Sequence, residues 1–586
     1  MSEGLHMEWA RAIAAALVAS DVAEVVLSPG SRSTPLAIAL AEQVGLRVTV
    51  VVDERVAGFV ALGQARVAGR PTALVCTSGT ALAHFHPAVI EAAEARVPLL
   101  VISADRPLEL QATAASQTID QVKIFGDHAR RYIDIGVPDP AAQAFVPRMV
   151  AAAVLASLTP LAGPVHLNAR FRKPLEPAGE RAEPAPGKTP RLFLPQLAPS
   201  DRAVAEVVEQ VRAAKSVVVA SGPAWGTRGE AAAVRGARVA RAVGAFAEAS
   251  GAAVLAEPTS GLFGGSGAPR APLGALGWLL ESAPRPDVLI QLGRPPVCPR
   301  FGAFASAAGR HVIVDDVGGA DPDGSCDAWV VADPALFFAA AAERLERLGG
   351  DGAGERRAYR DALGRAHAAI ATAVSSELEQ GELSEPLLAR EVAARLPAGS
   401  FLLAGNSTPV RDLCAFGSSA LRGVTVLHQR GAAGIDGLVA GLAGARLAAP
   451  DGAVVAALIG DVSALHDAGA FVELAKGQGP TVCVVADNAG GRIFEALPVA
   501  STPAGHAHLD RLFLTAPPRG LVGGLASAFG VDHRRVTTRA DLGQALDVAF
   551  ASKRPTVVEA VVPAEASRAA RARIRSRLGA MDGRDG

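Results

Sequence analysis

The chain has 586 residues, half of them apolar, so it can bury several sizeable cores; ordinary domain sizes suggest about three or four units. Its 57 basic and 58 acidic residues leave a net charge of −1, which excludes a general nucleic-acid or anionic-membrane binder. Only six of the 57 are Lys, so no isolated Arg carries an argument by itself.

The first residues, MSEGLHMEWARAIAAALVAS, interrupt a short apolar run with acids and Arg11 and have no basic segment before them. They predict an amphipathic first helix, not a signal peptide, and no run of about 20 apolar residues predicts stable membrane insertion. Apolar runs at 24–27, 47–52, 72–76 and 98–102 then alternate with helical stretches, the rhythm of a parallel α/β sheet. Seven prolines between Pro174 and Pro199 predict a linker. A second α/β block has strands at 216–220, 252–256, 288–292 and 311–315, and it ends near the glycines of 349–354. An Ala- and charge-rich helix leads into a third block from about residue 380, which repeats the alternation of the first. The turns SPGSRSTP (28–35) and GNSTPVRD (405–412) occupy equivalent places in the two blocks and hint at duplication, although polar strand-to-helix loops are common. The tail SRAARARIRSR (567–577) reads as a basic helix end or a disordered arm, with no function assigned. Five scattered cysteines without a CxxC pair fit a reduced, cytoplasmic protein.

Two strands of the third block, 454–459 and 481–486, flank a helical stretch at 466–476. In a right-handed βαβ unit both strands end on one sheet edge, so Asp461 and Asn488, 27 positions apart, are expected to meet there. Two such oxygen donors suit Mg²⁺, although Gly-Asp and Asn-Ala-Gly-Gly are also ordinary turn formers. In the first block four strand ends carry polar turns: SPGSRSTP with Arg32, DERVAGF with Glu54, CTSGTA, and SADRP with Arg106, followed by Gln117. Each is weak alone, since an acid after a strand is usually a helix cap; together they stand where open α/β sheets bind ligands. His84 and His86 form an HxH pair better explained by packing or capping than by metal.

The set SPGSRSTPL, DERxxGF, TSGTA, ADRP, GNSxxxR, RGAxGIDG, GDxSxLHD and GGxIF, in this order from residue 28 to about 500, resembles the 2-succinyl-5-enolpyruvyl-6-hydroxy-3-cyclohexene-1-carboxylate synthases. That family of thiamine-diphosphate enzymes serves menaquinone synthesis. The cofactor motif is shared widely among such enzymes, whereas SPGSRSTPL and RGAAGIDG are particular to this one. The resemblance implies an α/β fold of three parallel-sheet domains: pyrimidine-binding (1–180), central (201–348) and diphosphate-binding (380–565). A linker (181–200), a linker and helix (349–379) and a basic tail (566–586) complete the chain.

It further implies that Asp461, Asn488 and the Gly490 carbonyl hold Mg²⁺, or Mn²⁺ in its place, beside the cofactor diphosphate, with Ser463 next to the phosphates. Glu54 is implied as the catalytic acid on the aminopyrimidine, Ile435 as the wedge that bends the cofactor, and Ile493, Phe494 and Leu497 as apolar lining. Glu54 should then sit in an apolar, desolvating setting made by Val56, Ala57 and Phe59. The implied substrates, 2-oxoglutarate and isochorismate, are dianions. Their expected contacts are Ser31, Arg32, Arg106, Gln117, Ser407, Arg411 and Arg430. The implied reaction is decarboxylation of 2-oxoglutarate and conjugate addition of the succinyl carbanion equivalent to isochorismate. A homodimer or homotetramer with sites at the subunit interface is implied, because the Glu54-bearing domain serves a cofactor held mostly by another copy.

The chain departs from the family's usual pattern at Gln429, Asp487, Ala489 and Arg492, and Cys298-Pro299-Arg300 stands where a Ser-Lys pair is common. Arg300 is the substitute cation there. Two alternatives stay open: another 2-oxo-acid thiamine-diphosphate enzyme, and a catalytically silent homologue that serves as a binding subunit.

Overall fold

The computed structural model describes residues 4–177, 187–226, 228–264, 272–349 and 352–582. Three parallel sheets organise them. The first contains β1 (Glu24–Leu27), β2 (Arg47–Val50), β3 (Thr72–Cys76), β4 (Leu99–Asp105), β5 (Arg131–Asp134) and β6 (Pro164–Arg170), in the order β2-β1-β3-β4-β6-β5. The central sheet orders β7 (Val217–Ser221), β8 (Ala253–Ala256), β9 (Val288–Leu292), β10 (Arg310–Asp315) and β11 (Ala328–Val331) as β11-β10-β9-β7-β8. The third contains β12 (Phe401–Ala404), β13 (Thr425–His428), β14 (Val455–Gly460), β15 (Thr481–Asp487), β16 (Asp532–Val536) and β17 (Thr556–Val561), ordered β13-β12-β14-β15-β17-β16. Counted from its own first strand, the third sheet has the same order as the first. The turns SPGSRSTP and GNSTPVRD follow the corresponding strands β1 and β12.

The inner strands β12, β14 and β15 of the third sheet are buried on both faces, which is why they read as apolar runs. Val455, Ala457 and Ile459 point into a core shared with the first unit, to which Val60, Leu62 and Phe85 also belong. Ala456 and Leu458, one residue out of phase, join a core continuous with that of the central sheet. The first and third units are joined by two crossing helices, Glu54–Ala68 and Leu438–Ala448. Glycines set their separation. A Cβ on Gly63 would run into the Gly441 carbonyl oxygen, and one on Gly444 into that of Val60.

Some expectations are corrected. The first helix, Leu5–Ala19, is buried nearly all round, with Trp9, Ile13 and Leu17 inside the first core, so it is less amphipathic than its charges suggested. The helical stretch expected at 466–476 starts earlier and is broken: one helix runs Asp461–His466, a 3-10 turn covers Ala468–Ala470, and a second helix runs Phe471–Lys476. Asp467 marks the break, its Oδ2 accepting the Ala440 N–H at 2.8 Å. Of the two readings of the basic tail, the helix is the one found: Ala564–Asp582 is helical, with Ala570 and Ile574 buried in the core that the third unit shares. Within the proline-rich linker, residues 181–186 lie outside the described residues, and 187–199 run without helix or strand. The five cysteines are unpaired.

Candidate active site

β14 and β15 lie side by side, with Gly460 opposite Ala486, so the residues that follow each strand meet at one edge. Asp461 is buried there, its Oδ1 accepting the Val462 N–H and its Oδ2 the Gly490 N–H, both at 2.8 Å. Burial pushes its carboxyl up to about 6, with the charges of Asp487 and Glu385 adding to the rise and the two N–H groups opposing it. Asn488 is equally buried: its Nδ2 donates to Glu385 Oε1 at 2.7 Å, while its Oδ1 has no hydrogen-bond partner. A buried amide oxygen without a donor is costly unless something else satisfies it. The turn that carries Asn488 follows a backbone path few residues adopt, with φ 59° at Ala489 and 117° at Gly490, where a Cβ would collide with the Leu514 carbonyl. The Gly490 carbonyl accepts the Arg492 N–H at 2.8 Å, which leaves one lone pair.

These groups open into a cleft of about 480 Å³. All its lining residues belong to the third unit, among them Ser407, Arg411, Arg430, Ile435, Asp461, Ser463, Asn488, Gly490, Ile493 and Phe494. Leu497 lies off the lining and is exposed. Ser407 holds a φ of 68°, a conformation that costs a non-glycine residue on the order of 1–3 kcal/mol. Arg411 Nη1 donates to the Ser407 carbonyl at 2.7 Å, and Arg430 Nη1 donates to Asn406 Oδ1 at 2.8 Å. Asn406 Nδ2 in turn bridges the carbonyls of Gln429 and Gly434 at 2.8 and 2.6 Å. Gln429 is a structural tie: its Nε2 donates to the Gly437 carbonyl at 2.9 Å, closing the RGAAGIDG loop. Arg492 is likewise engaged, with Asn488 O at 2.9 Å and Glu495 at 2.7 Å.

The remaining candidates stand elsewhere. Glu54, half-buried, opens the helix capped by Asp53, whose carboxylate accepts the Arg55 N–H; Val56, Ala57 and Phe59 beside it are buried. Arg32 is 3% exposed and donates to the Phe171 carbonyl at 2.7 Å, while Ser31 next to it faces solvent. Arg106 donates to the Ser116 carbonyl at 2.9 Å, and the Gln117 carbonyl accepts from Ser78 Oγ at 3.0 Å. The ADRP and TSGT turns thus share one edge of the first sheet. Arg300 is half-exposed on the central unit and ion-paired with Glu281. His84 is exposed and His86 stacks edge-on against Phe125 and His128.

Four functional neighbours escaped sequence reasoning. Glu91 ties the RGAAGIDG loop from the first unit, taking the Gly431 and Ala432 N–H groups. Glu385 and Arg571 stand behind Asn488. No motif announced these three. Asp467 was visible within GDxSxLHD, and its burial was the missing information.

The donor set fits Mg²⁺. It offers one carboxylate, one unpartnered amide oxygen and a backbone carbonyl, all hard oxygens that leave positions for phosphate and water. Among the described residues no three His, Cys, Asp or Glu side chains gather to hold a metal, and a site with a single acidic ligand does not need them.

Residues 7–124 match the thiamine pyrophosphate enzyme N-terminal TPP binding domain, and 420–560 the corresponding C-terminal TPP binding domain. A 2-succinyl-5-enolpyruvyl-6-hydroxy-3-cyclohexene-1-carboxylate synthase of Sorangium cellulosum is 41% identical over 95% of this chain and 93% of its own length. The chain belongs to this synthase family. A synthase of Myxococcus xanthus is 39% identical over 90% of the chain and 89% of its own length, and one of Geobacillus kaustophilus 36% over 85% and 86%. As a member of that family the protein is a thiamine-diphosphate-dependent transferase, and its three parallel sheets match the α/β fold of such enzymes. The two matched segments take in β1 to β4 of the first sheet and β13 to β16 of the third, the pair of sheets with identical strand order.

Proposed function

We propose that the protein catalyses Mg²⁺-dependent decarboxylation of 2-oxoglutarate and addition of the four-carbon succinyl unit to isochorismate. The products are 2-succinyl-5-enolpyruvyl-6-hydroxy-3-cyclohexene-1-carboxylate and CO₂, a step of menaquinone synthesis. The observation that carries this reading is the unpartnered Asn488 Oδ1 beside the Asp461 carboxylate, in a cleft that also holds Arg411 and Arg430. Asp461, Asn488 and the Gly490 carbonyl would hold Mg²⁺, with Ser463 at the phosphates. Bound thiamine diphosphate supplies the electron sink that allows a 2-oxo acid to lose CO₂.

Arg411 and Arg430 are held by backbone and amide partners, not by carboxylates, so their charge stays available to a dianion. Ser407 adds a neutral donor. Ile435, Ile493 and Phe494 would pack against the cofactor rings, and Leu497 would join them from the rim. We assign Glu54 the proton at the aminopyrimidine ring nitrogen. Because Glu54, Ser31, Arg32, Arg106 and Gln117 do not line the Asp461 cleft, we assign them to the cleft of a second copy, which makes the working unit a homodimer or homotetramer. The three units are taken as pyrimidine-binding, central and diphosphate-binding domains with the boundaries given above, and Arg300 as the central domain's cation. Unpaired cysteines favour the cytoplasm. The test is a substrate assay of purified protein with Mg²⁺ and thiamine diphosphate. Joint consumption of 2-oxoglutarate and isochorismate is expected; turnover of pyruvate in their place would move the protein to another 2-oxo-acid activity.

A further inference from the structure

Asn488 lines the cleft with a buried, unpartnered Oδ1, and the other end of its amide is held. Glu385, which is 6% exposed, takes Asn488 Nδ2 at 2.7 Å on the oxygen that also accepts from Thr408 Oγ1 at 2.9 Å. Arg571, on the C-terminal helix, donates through Nη2 to the other Glu385 oxygen at 3.3 Å and to Asp412 Oδ2 at 2.6 Å. Ser567 on the same helix takes the Glu385 N–H at 3.0 Å. With Glu385 Oε1 taking the NH₂ end of the amide, the carbonyl end is the one left for a cation. Flipping Asn488 would set two acceptors against each other in a buried site and turn a donor toward the place where a cation would sit. Arg571 holds the Glu385 carboxyl in place from behind, bridging it to the buried Asp412. The arrangement also joins Thr408, next to Ser407, to the Asn488 turn.

We infer that Glu385 and Arg571 are positioning residues that lock the Asn488 amide with Oδ1 toward the cation, which makes the C-terminal helix part of the cofactor site. The inference rests on the metal reading given above. Groups that orient a metal ligand from behind typically change metal affinity by about 10–100-fold when removed.

The experiment is calorimetric titration of Mg²⁺ into the full-length protein at a fixed, saturating level of thiamine diphosphate. Thermal unfolding of the metal- and cofactor-free protein is measured in parallel. Glu385→Met and Arg571→Met remove the acceptor and the cation at nearly constant volume, and both should weaken Mg²⁺ affinity by about 10–100-fold. Glu385→Gln can still accept from Asn488 Nδ2 and should recover most of the loss, and the Met variants should lose Mg²⁺ affinity without a matching drop in the unfolding temperature of the metal- and cofactor-free protein, which a role in packing alone does not predict. Should Glu385→Met fail to fold, Arg571→Met, at a partly exposed position, carries the same test. Asn488→Ala separates the two readings. If it is weakened at least tenfold while the Met variants stay within twofold of wild type, the positioning role is overturned and the metal site stands. If Asn488→Ala itself binds Mg²⁺ like wild type, the metal reading falls and the positioning role with it.

Discussion

The Glu91 carboxylate accepts the backbone N–H of Gly431 at 2.8 Å, fastening a helix of the first unit to a loop of the third. Its other oxygen takes the Ala432 N–H at 2.7 Å, and Arg66, as deeply buried, lies 3.7 Å away. Burial raises the Glu91 carboxyl and lowers Arg66 to about 10, so both charges are held at a cost that their contacts offset. Glu91→Ala would strand the Arg66 charge and two amides. The expected loss is about 3–5 kcal/mol, read as a lower urea midpoint. Because the same loop carries Arg430 and Ile435, cofactor affinity should fall too. A midpoint unchanged by the substitution would remove the tie from the account of stability.

The helix crossing yields a second expectation. Gly444 has the Val60 carbonyl where a Cβ would be, and backbone cannot move aside as a side chain can. Gly444→Ala should destabilise by about 1–3 kcal/mol through overpacking. Gly364, on helix Ala353–Glu379, has nothing near its would-be Cβ, so Gly364→Ala should instead stabilise by up to about 1 kcal/mol. Chemical denaturation of both variants distinguishes a local clash from a general glycine effect; equal changes of the same sign would refute the close-packing account.

These contacts show where the sequence was readable. Strands β1, β3 and β9 were legible to the residue because buried parallel strands are continuous apolar runs closed by turn residues. The meeting of Asp461 and Asn488 was also legible, since the handedness of a βαβ unit leaves little choice of edge. Two edge strands were not: β5, Arg131–Asp134, and β16, Asp532–Val536, carry charges at exposed positions and lack an apolar run. Glu91, Glu385 and Arg571 were invisible for another reason. Their bonds to Ala432, to Asn488 and to each other span 103 to 341 positions in sequence, and an isolated acid or Arg looks the same whether solvated or buried. Asn488 could be read as a turn residue or a ligand; only the unpartnered Oδ1 separates the two.

The assigned roles of Glu54 and Asp461 predict different failures. Glu54→Gln keeps the shape of the helix start and touches nothing in the Asp461 cleft, so cofactor affinity should hold within a few fold. Turnover and hydrogen exchange at the cofactor's thiazolium carbon should fall by about 10²–10⁴-fold, the usual worth of a positioned acid or base. Asp461→Ala should act earlier, abolishing the Mg²⁺-dependent part of cofactor binding. Calorimetry with and without Mg²⁺ reports that part directly. Exchange unaffected by Glu54→Gln, or Mg²⁺-dependent binding retained by Asp461→Ala, would each sink the corresponding assignment.

Asp467 should make stability depend on pH. Its carboxyl is pushed from an ordinary 3.8 up to about 7, chiefly by burial, with Asp436 and Asp53 adding to the rise and the Ala440 and Val439 N–H groups opposing it. A raised value means that the folded chain keeps a proton the unfolded chain has released. Stability from this group is therefore complete below about pH 4 and is lost as pH rises through about 7. Its slope within that window is at most about 1.4 kcal/mol per pH unit. Asp467→Asn removes the titration but can still accept the Ala440 N–H, so the variant should fold and show a shallower decline between pH 5 and 7. Urea unfolding of both proteins at several pH values in that range tests this. Parallel stability profiles would mean that Asp467 titrates alike in the folded and unfolded chains, and that burial at the helix break does not hold its proton.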